Sequence, residues 1–138
     1  MSETRPYSQI LGRLRSAGLR PTRQRLALGR LLFDDGPRHV TAETLHGEAL
    51  AANIQVSLAT VYNTLHQYTG AGLLREIVVD SQRSYFDTNT GDHHHFFFED
   101  SGRLEDIAGD RILVAEPPQP PGGGAVERVD VIVRVSGK

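Results

Sequence analysis

Ahead of the glycines at positions 70 and 72 the apolar residues recur at helical spacing, and beyond them they fall in extended runs and alternations typical of strands. A chain so divided must build a helical part first and a β-rich part second. In the first part, Leu11 and Leu14 share the face of a short helix closed near Gly18, and Thr22 is placed to cap the next, which carries Leu26, Leu28, Leu31, Leu32 and Phe33. That helix must stop at Asp34-Asp35-Gly36-Pro37. Thr41 caps a third, with Val40 stapled to Leu45 and an end near Asn53. Ser57 caps a fourth, with Val56 stapled to Val61 and a buried stripe of Leu58, Val61, Leu65 and Tyr68.

Beyond Gly72, the run Leu74 to Val79, a polar turn from Asp80 to Arg83, and Ser84 to Asp87 read as a hairpin. Helices followed by such a hairpin predict a winged helix-turn-helix. His94 to Glu99 and the alternating valines 129, 131, 133 and 135 predict further strands. The intervening Pro117-Pro118-Gln119-Pro120-Pro121-Gly122-Gly123-Gly124 can neither form a helix nor pair, so it predicts a surface loop or linker. The expected class is α+β, with a winged-helix domain over 1–87 and a small domain over 88–138.

The 138 residues allow one domain or two very small ones, which excludes a large multi-domain enzyme. The absence of cysteine removes disulfides, thiolate zinc sites and thiol catalysis, so any metal must be held by His and carboxylates. With no apolar run approaching a membrane span, the expected location is the cytoplasm. Residues 1–83 carry ten arginines against seven acids, or +3, and residues 84–138 carry five bases against ten acids, or −5. Arginine supplies all the basic charge except Lys138, and its planar fork suits phosphate. Such a division suggests one part that meets an anion and another that senses something, although two ordinarily solvated faces would read the same way.

On the predicted fourth helix, Ala59, Tyr62, Asn63 and His66 share one exposed edge, with Thr60 in its first turn. Asn can pair with adenine, Ala and the Tyr ring can pack on thymine methyls, and His can donate to a base or phosphate, which points to an A·T-rich duplex. The alternative is that Tyr62 and His66 merely cover a neighbouring helix. Arg20, Arg23 and Arg25 flank the second helix start, where they could hold phosphates or enter a minor groove. In His93-His94-His95 the strand period sends His93 and His95 to one face and His94 to the other, and two imidazoles on one face can share a metal. With Asp87 on the hairpin and His39 ahead of the third helix, the set suits Zn, Fe or Mn.

The run Ser57-Leu58-Ala59-Thr60-Val61-Tyr62-Asn63-Thr64-Leu65, the following Ala71-Gly72-Leu73-Leu74 and the upstream Gly18-Leu19-Arg20-Pro21-Thr22-Arg23-Gln24-Arg25 resemble the ferric uptake regulator (Fur) family to about Ile107. The resemblance implies a dimeric winged-helix transcription regulator, not an enzyme, whose C-terminal α/β domain dimerises. By position it implies Tyr62 as a base contact, Arg20 as a minor-groove probe and Arg25 as a phosphate contact. It also implies a regulatory metal site of His39, Asp87, His93 and His95 linking the two domains, with Asp where the family has Glu. Asp92 and His94 fall at two ligand positions of a second family site whose remaining ligands are not evident. The family's Cys-x-x-Cys is replaced by Phe98-Glu99-Asp100-Ser101, so Phe96, Phe98 and the valines are expected to hold that domain by packing.

The triple His before three Phe, the missing cysteines and the closing Arg128 to Arg134 strand resemble the iron response regulators, the Irr branch of the family. That likeness implies a repressor of haem-synthesis and iron genes that binds its operator when iron is low and is released by haem, here through His93, His94 and His95. A haem-delivering enzyme is a further expected partner. Two other readings stand beside it. One is a metal-corepressed Fur-type repressor that needs Fe or Mn to bind DNA, and the other is a non-haem iron oxygenase, whose two-His, one-acid set the HxH pattern also resembles.

Overall fold

The computed structural model describes residues 7–137, so Glu3, Arg5 and Lys138 of the charge tally lie outside the described residues. The chain divides into two units between Thr90 and Gly91.

The first unit runs α1 (Ser8–Ser16), α2 (Arg23–Phe33), β1 (His39–Val40), α3 (Ala42–Ala51), α4 (Leu58–Gly70), β2 (Arg75–Asp80) and β3 (Arg83–Asp87). Three helix starts are set by hydroxyls: Thr22 accepts from the Arg25 N–H, Thr41 from Thr44 and Ser57 from Thr60. Asn53, at a φ of 61°, turns the chain beyond α3, and Gly72, at 82°, does so beyond α4, conformations open at little cost to Asn and Gly. Ile10, Leu14, Leu28, Leu32, Leu45, Val61, Leu65, Tyr68 and Phe86 form one core. Gly29 lets α1 approach α2, since a Cβ there would lie 2.4 Å from the Ile10 side chain. The buried face of α4 is Val61, Thr64, Leu65 and Tyr68; Leu58, expected in that stripe, is exposed, because at the first helical position it projects past the core.

β2 and β3 form the antiparallel wing, and β1 adds to the other edge of β3, giving the order β1-β3-β2. The residues expected in a loop around His39 therefore include a two-residue strand. Arg38 secures it: its guanidinium donates to both Glu48 carboxylate oxygens at 2.9 and 2.6 Å and to the Leu31 carbonyl, while its N–H donates to the Thr88 hydroxyl.

The second unit contains β4 (His93–Phe98), β5 (Leu104–Ala108) and β6 (Ile132–Val135), ordered β5-β4-β6, with β5 antiparallel and β6 parallel to β4. Single 3₁₀ turns occur at Gly109–Arg111 and Pro121–Gly123, the latter inside the expected Pro/Gly loop. β6 begins only at Ile132, and Val129, assigned to it from sequence, is exposed outside it. The expected packing by Phe96 and Phe98 is corrected as well. Phe97 is the fully buried ring, because it shares the inward face with His93 and His95, while Phe96 and Phe98 are half-buried on the other side and Arg103 stacks 4.3 Å above Phe98. The whole is α+β, with an N-terminal winged helix-turn-helix, and among the described residues no helix is long and apolar enough to cross a membrane.

Candidate metal centre and nucleic-acid interface

In β4 the two-residue period carries His93 and His95 to one face, and their rings meet edge to face with centroids 4.5 Å apart. Antiparallel pairing sets Asp106 of β5 directly opposite His95. Its Oδ1 lies 3.3 Å from His95 Nε2 and 3.6 Å from His93 Nε2. An ion with tetrahedral bonds of roughly 2.1 Å holds its ligand atoms about 3.4 Å apart, so this spacing fits a small divalent cation. His93 Nδ1 lies 2.7 Å from the Gly91 carbonyl, which can only accept, so Nδ1 carries a hydrogen and Nε2 is the ring nitrogen that faces His95 and Asp106. Both imidazoles are buried while Asp106 is half exposed.

Asp106 was missed by sequence reasoning. Leu104 and Ile107 are spaced three apart, so Leu104 to Ala108 does not alternate as a half-buried strand should. The signal available was the turn after Phe98, from which hairpin counting pairs His95 with Asp106.

In the first unit His39 and Asp87 are direct partners across β1 and β3, with His39 edge-on to the Tyr85 ring. Asp87 is almost wholly buried, and its Oδ1 accepts from the Asn89 N–H at 2.9 Å. His94 points away from His93 and His95, and its Nδ1 accepts from the Val131 N–H at 3.1 Å, so it ties the approach of β6 to β4. The three imidazoles proposed for haem therefore do not converge on one face. Asp92 is exposed, and among the described residues no third ligand joins it and His94.

The α4 edge lies in the first unit. Ala59, Asn63 and His66 are exposed, and Thr60 and Tyr62 half-buried. Tyr62 stacks on His66 with centroids 6.3 Å apart, and His66 stands edge-on to Phe86 of the wing at 5.4 Å. The pair thus packs on Phe86 of the wing strand while His66 stays at the surface. The Tyr62 hydroxyl donates to Glu43 Oε1 of α3 at 2.9 Å, and that bond raises the phenol above its ordinary value, so it is a neutral donor at physiological pH.

Arg20 and Arg23 are exposed at the start of α2, and Arg20 lines a cleft of about 410 Å³ together with Thr22, Arg25, Thr60, Asn63 and Gln67. Arg25 is committed: it donates to the Arg20 carbonyl at 2.8 Å and to Gln67 Oε1 at 3.2 and 2.9 Å, which joins α2 to α4. Its backbone carbonyl accepts from the buried Tyr68 hydroxyl. Arg25 thus aligns the surface whether or not it also meets phosphate.

Residues 16–120 match the ferric uptake regulator family. The chain belongs to that family. It is 36% identical over 81 residues to a ferric uptake regulation protein of Bordetella parapertussis, covering 59% of this chain and 58% of that protein. It is 35% identical over 100 residues to the peroxide-responsive repressor PerR of Staphylococcus aureus, covering 72% and 66%. The matched segment thus spans less than two thirds of either curated relative. The fold is similar to that of the ferric uptake regulator of Pseudomonas aeruginosa solved with manganese, with a TM-score of 0.68, 25% identity, and 93% of this chain and 97% of the other covered.

Proposed function

We propose that the chain is a metal-responsive transcription regulator that binds double-stranded DNA as a homodimer. The observation that carries the sensing half is the 3.3 and 3.6 Å spacing of the His95 and His93 nitrogens from Asp106. In this reading His39, Asp87, His93 and His95 hold iron, manganese or zinc, as the family likeness supports, and Asp106 joins them. The donors are borderline nitrogens and hard oxygens, a set that takes any of the three. When bound, the ion supplies a fixed set of bonds, and the chain does the rest: Gly91 fixes the His93 tautomer and the β4–β5 register sets Asp106 against His95.

Reading DNA falls to α4. Ala59, Thr60, Tyr62, Asn63 and His66 face the major groove, and Arg20 and Arg23 approach the backbone or minor groove, with Arg25 holding the two helices in register. Ligand occupancy then shifts operator affinity by its differential affinity for the DNA-competent state. Operator binding with manganese, after chelation and after metal return is the test. Binding that is lost and restored supports metal corepression, and failure to bind any A·T-rich palindrome would reject the regulator.

Release by haem, the Irr-like form of the reading, rests on the residues 93 to 95 themselves. Because His93 and His95 are buried beside Asp106, haem would compete with the ion for them. Chelation should then spare DNA binding and haem should end it; retention on DNA at saturating haem would reject the switch. The likeness to a peroxide-responsive repressor supports a second signal, checked by adding peroxide to the manganese-loaded protein in the same assay. The reported relatives carry regulator names, which leaves the oxygenase reading without support.

A further inference from the structure

Tyr62 and Glu43 belong to consecutive helices of the first unit, and their hydrogen bond has a polarity that follows from their chemistry. A phenol has one proton and two lone pairs, whereas an ionised carboxylate only accepts. The proton therefore lies on the Glu43 side, in a charge-assisted bond stronger than one between neutral groups. Glu43 stands in the first turn of α3, where the unpaired backbone N–H groups favour a negative charge. The Tyr62 ring is half-buried and stacked on His66, which restricts the direction of its oxygen.

We propose that Glu43 determines what Tyr62 reads: by accepting the hydrogen bond of the phenolic O–H it leaves the Tyr62 oxygen an acceptor, so this edge of α4 selects a base that presents an amino group in the major groove. The inference rests on the reading of α4 as the groove-facing helix. In the major groove those amino groups are adenine N6 and cytosine N4, while guanine O6 and N7 and thymine O4 only accept. Opposite an acceptor, Tyr62 would meet a lone pair with a lone pair or turn its proton away from Glu43 and leave a carboxylate unpaired. Glu43 is itself acceptor-only, so the pair offers this edge no donor.

Selection of duplexes from a random pool by the manganese-loaded protein supplies the preferred operator. Each adenine in it is then replaced by unsubstituted purine opposite thymine, and each cytosine by 2-pyrimidinone opposite guanine, which removes the amino donor and leaves the partner base unchanged. For one position in each half-site the wild type is expected to lose roughly five- to tenfold in affinity, and Glu43→Ala less than about twofold, since its phenol is free to donate. Tyr62→Phe should be indifferent at that position yet keep the losses elsewhere. Full loss at every position in a folded Glu43→Ala, or an unchanged pattern in Tyr62→Phe, overturns the assignment while leaving the helix in the groove. If no duplex is enriched, the groove-facing reading falls and this inference with it.

Discussion

At His93 one hydrogen bond decides the chemistry available. With Nδ1 donating to Gly91, Nε2 faces Asp106, and in the proposed metal site the carboxylate on β5 is the oxygen that joins the two imidazoles. Manganese should raise the thermal midpoint of the wild type, by a stabilisation of about 2.7 kcal/mol at a hundredfold excess over Kd. Asp106→Ala should weaken manganese at least about tenfold by calorimetry and lose most of that midpoint shift. Tyr68 offers a different test. Its buried hydroxyl donates to the Arg25 carbonyl, and burial raises its phenol above the ordinary value. A raised group contributes stability that is whole below the unfolded value of about 10 and is lost as pH climbs through the folded one. Denaturant unfolding from pH 7 to 11 should show that decline, and Tyr68→Phe should cost about 1 kcal/mol at neutrality and flatten it.

Among the elements, α4 depends on its first turn. Ser57→Ala removes the acceptor for the Thr60 N–H and should cost about 1 kcal/mol in denaturant unfolding, with operator affinity falling as the reading helix frays. Such devices were legible because they are local: Thr22, Thr41 and Ser57 each announce a helix by chemistry within four residues, and Gly72 announces its end. Leu58 was misread because periodicity says which residues share a face but not where the core stops. β5 was invisible because exposed Glu105 and Asp106 part its two buried residues, and only pairing with β4 gives it a reason to be extended. Thus the His93 and His95 half of the centre could be read from strand period alone, whereas Asp106, which depends on that pairing, could not. The same limit hid Glu43, whose contact with Tyr62 spans nineteen residues of sequence.

For the whole molecule, the separation of charge argues for a salt-sensitive DNA contact made by the arginine-rich first unit. If Arg20, Arg23 and Arg25 of each protomer meet phosphate, six contacts predict a loss on the order of a thousandfold between roughly 50 and 200 mM salt. Arg23→Ala should reduce the slope of log affinity against log salt by about two in a dimer, with little change in sequence preference. Arg25→Ala should instead weaken binding and lower the melting temperature together, because that guanidinium also joins Gln67 to the Arg20 carbonyl. Parallel placement of β6 beside β4, with a long proline- and glycine-rich return, was beyond sequence reading, since nothing in the alternating valines says which neighbour they will take.

The alternation along β4 carries an evolutionary consequence. Opposite faces are assigned by counting back from the turn after Phe98, so a single codon inserted or deleted between His95 and Phe97 would invert the histidine half of the strand, turning His94 to the Asp106 face and sending the two paired imidazoles outward. Lineages of this protein should therefore drift freely in residue type around the triplet while keeping its length fixed, and losses of sensing should trace to indels there as readily as to replacement of a histidine.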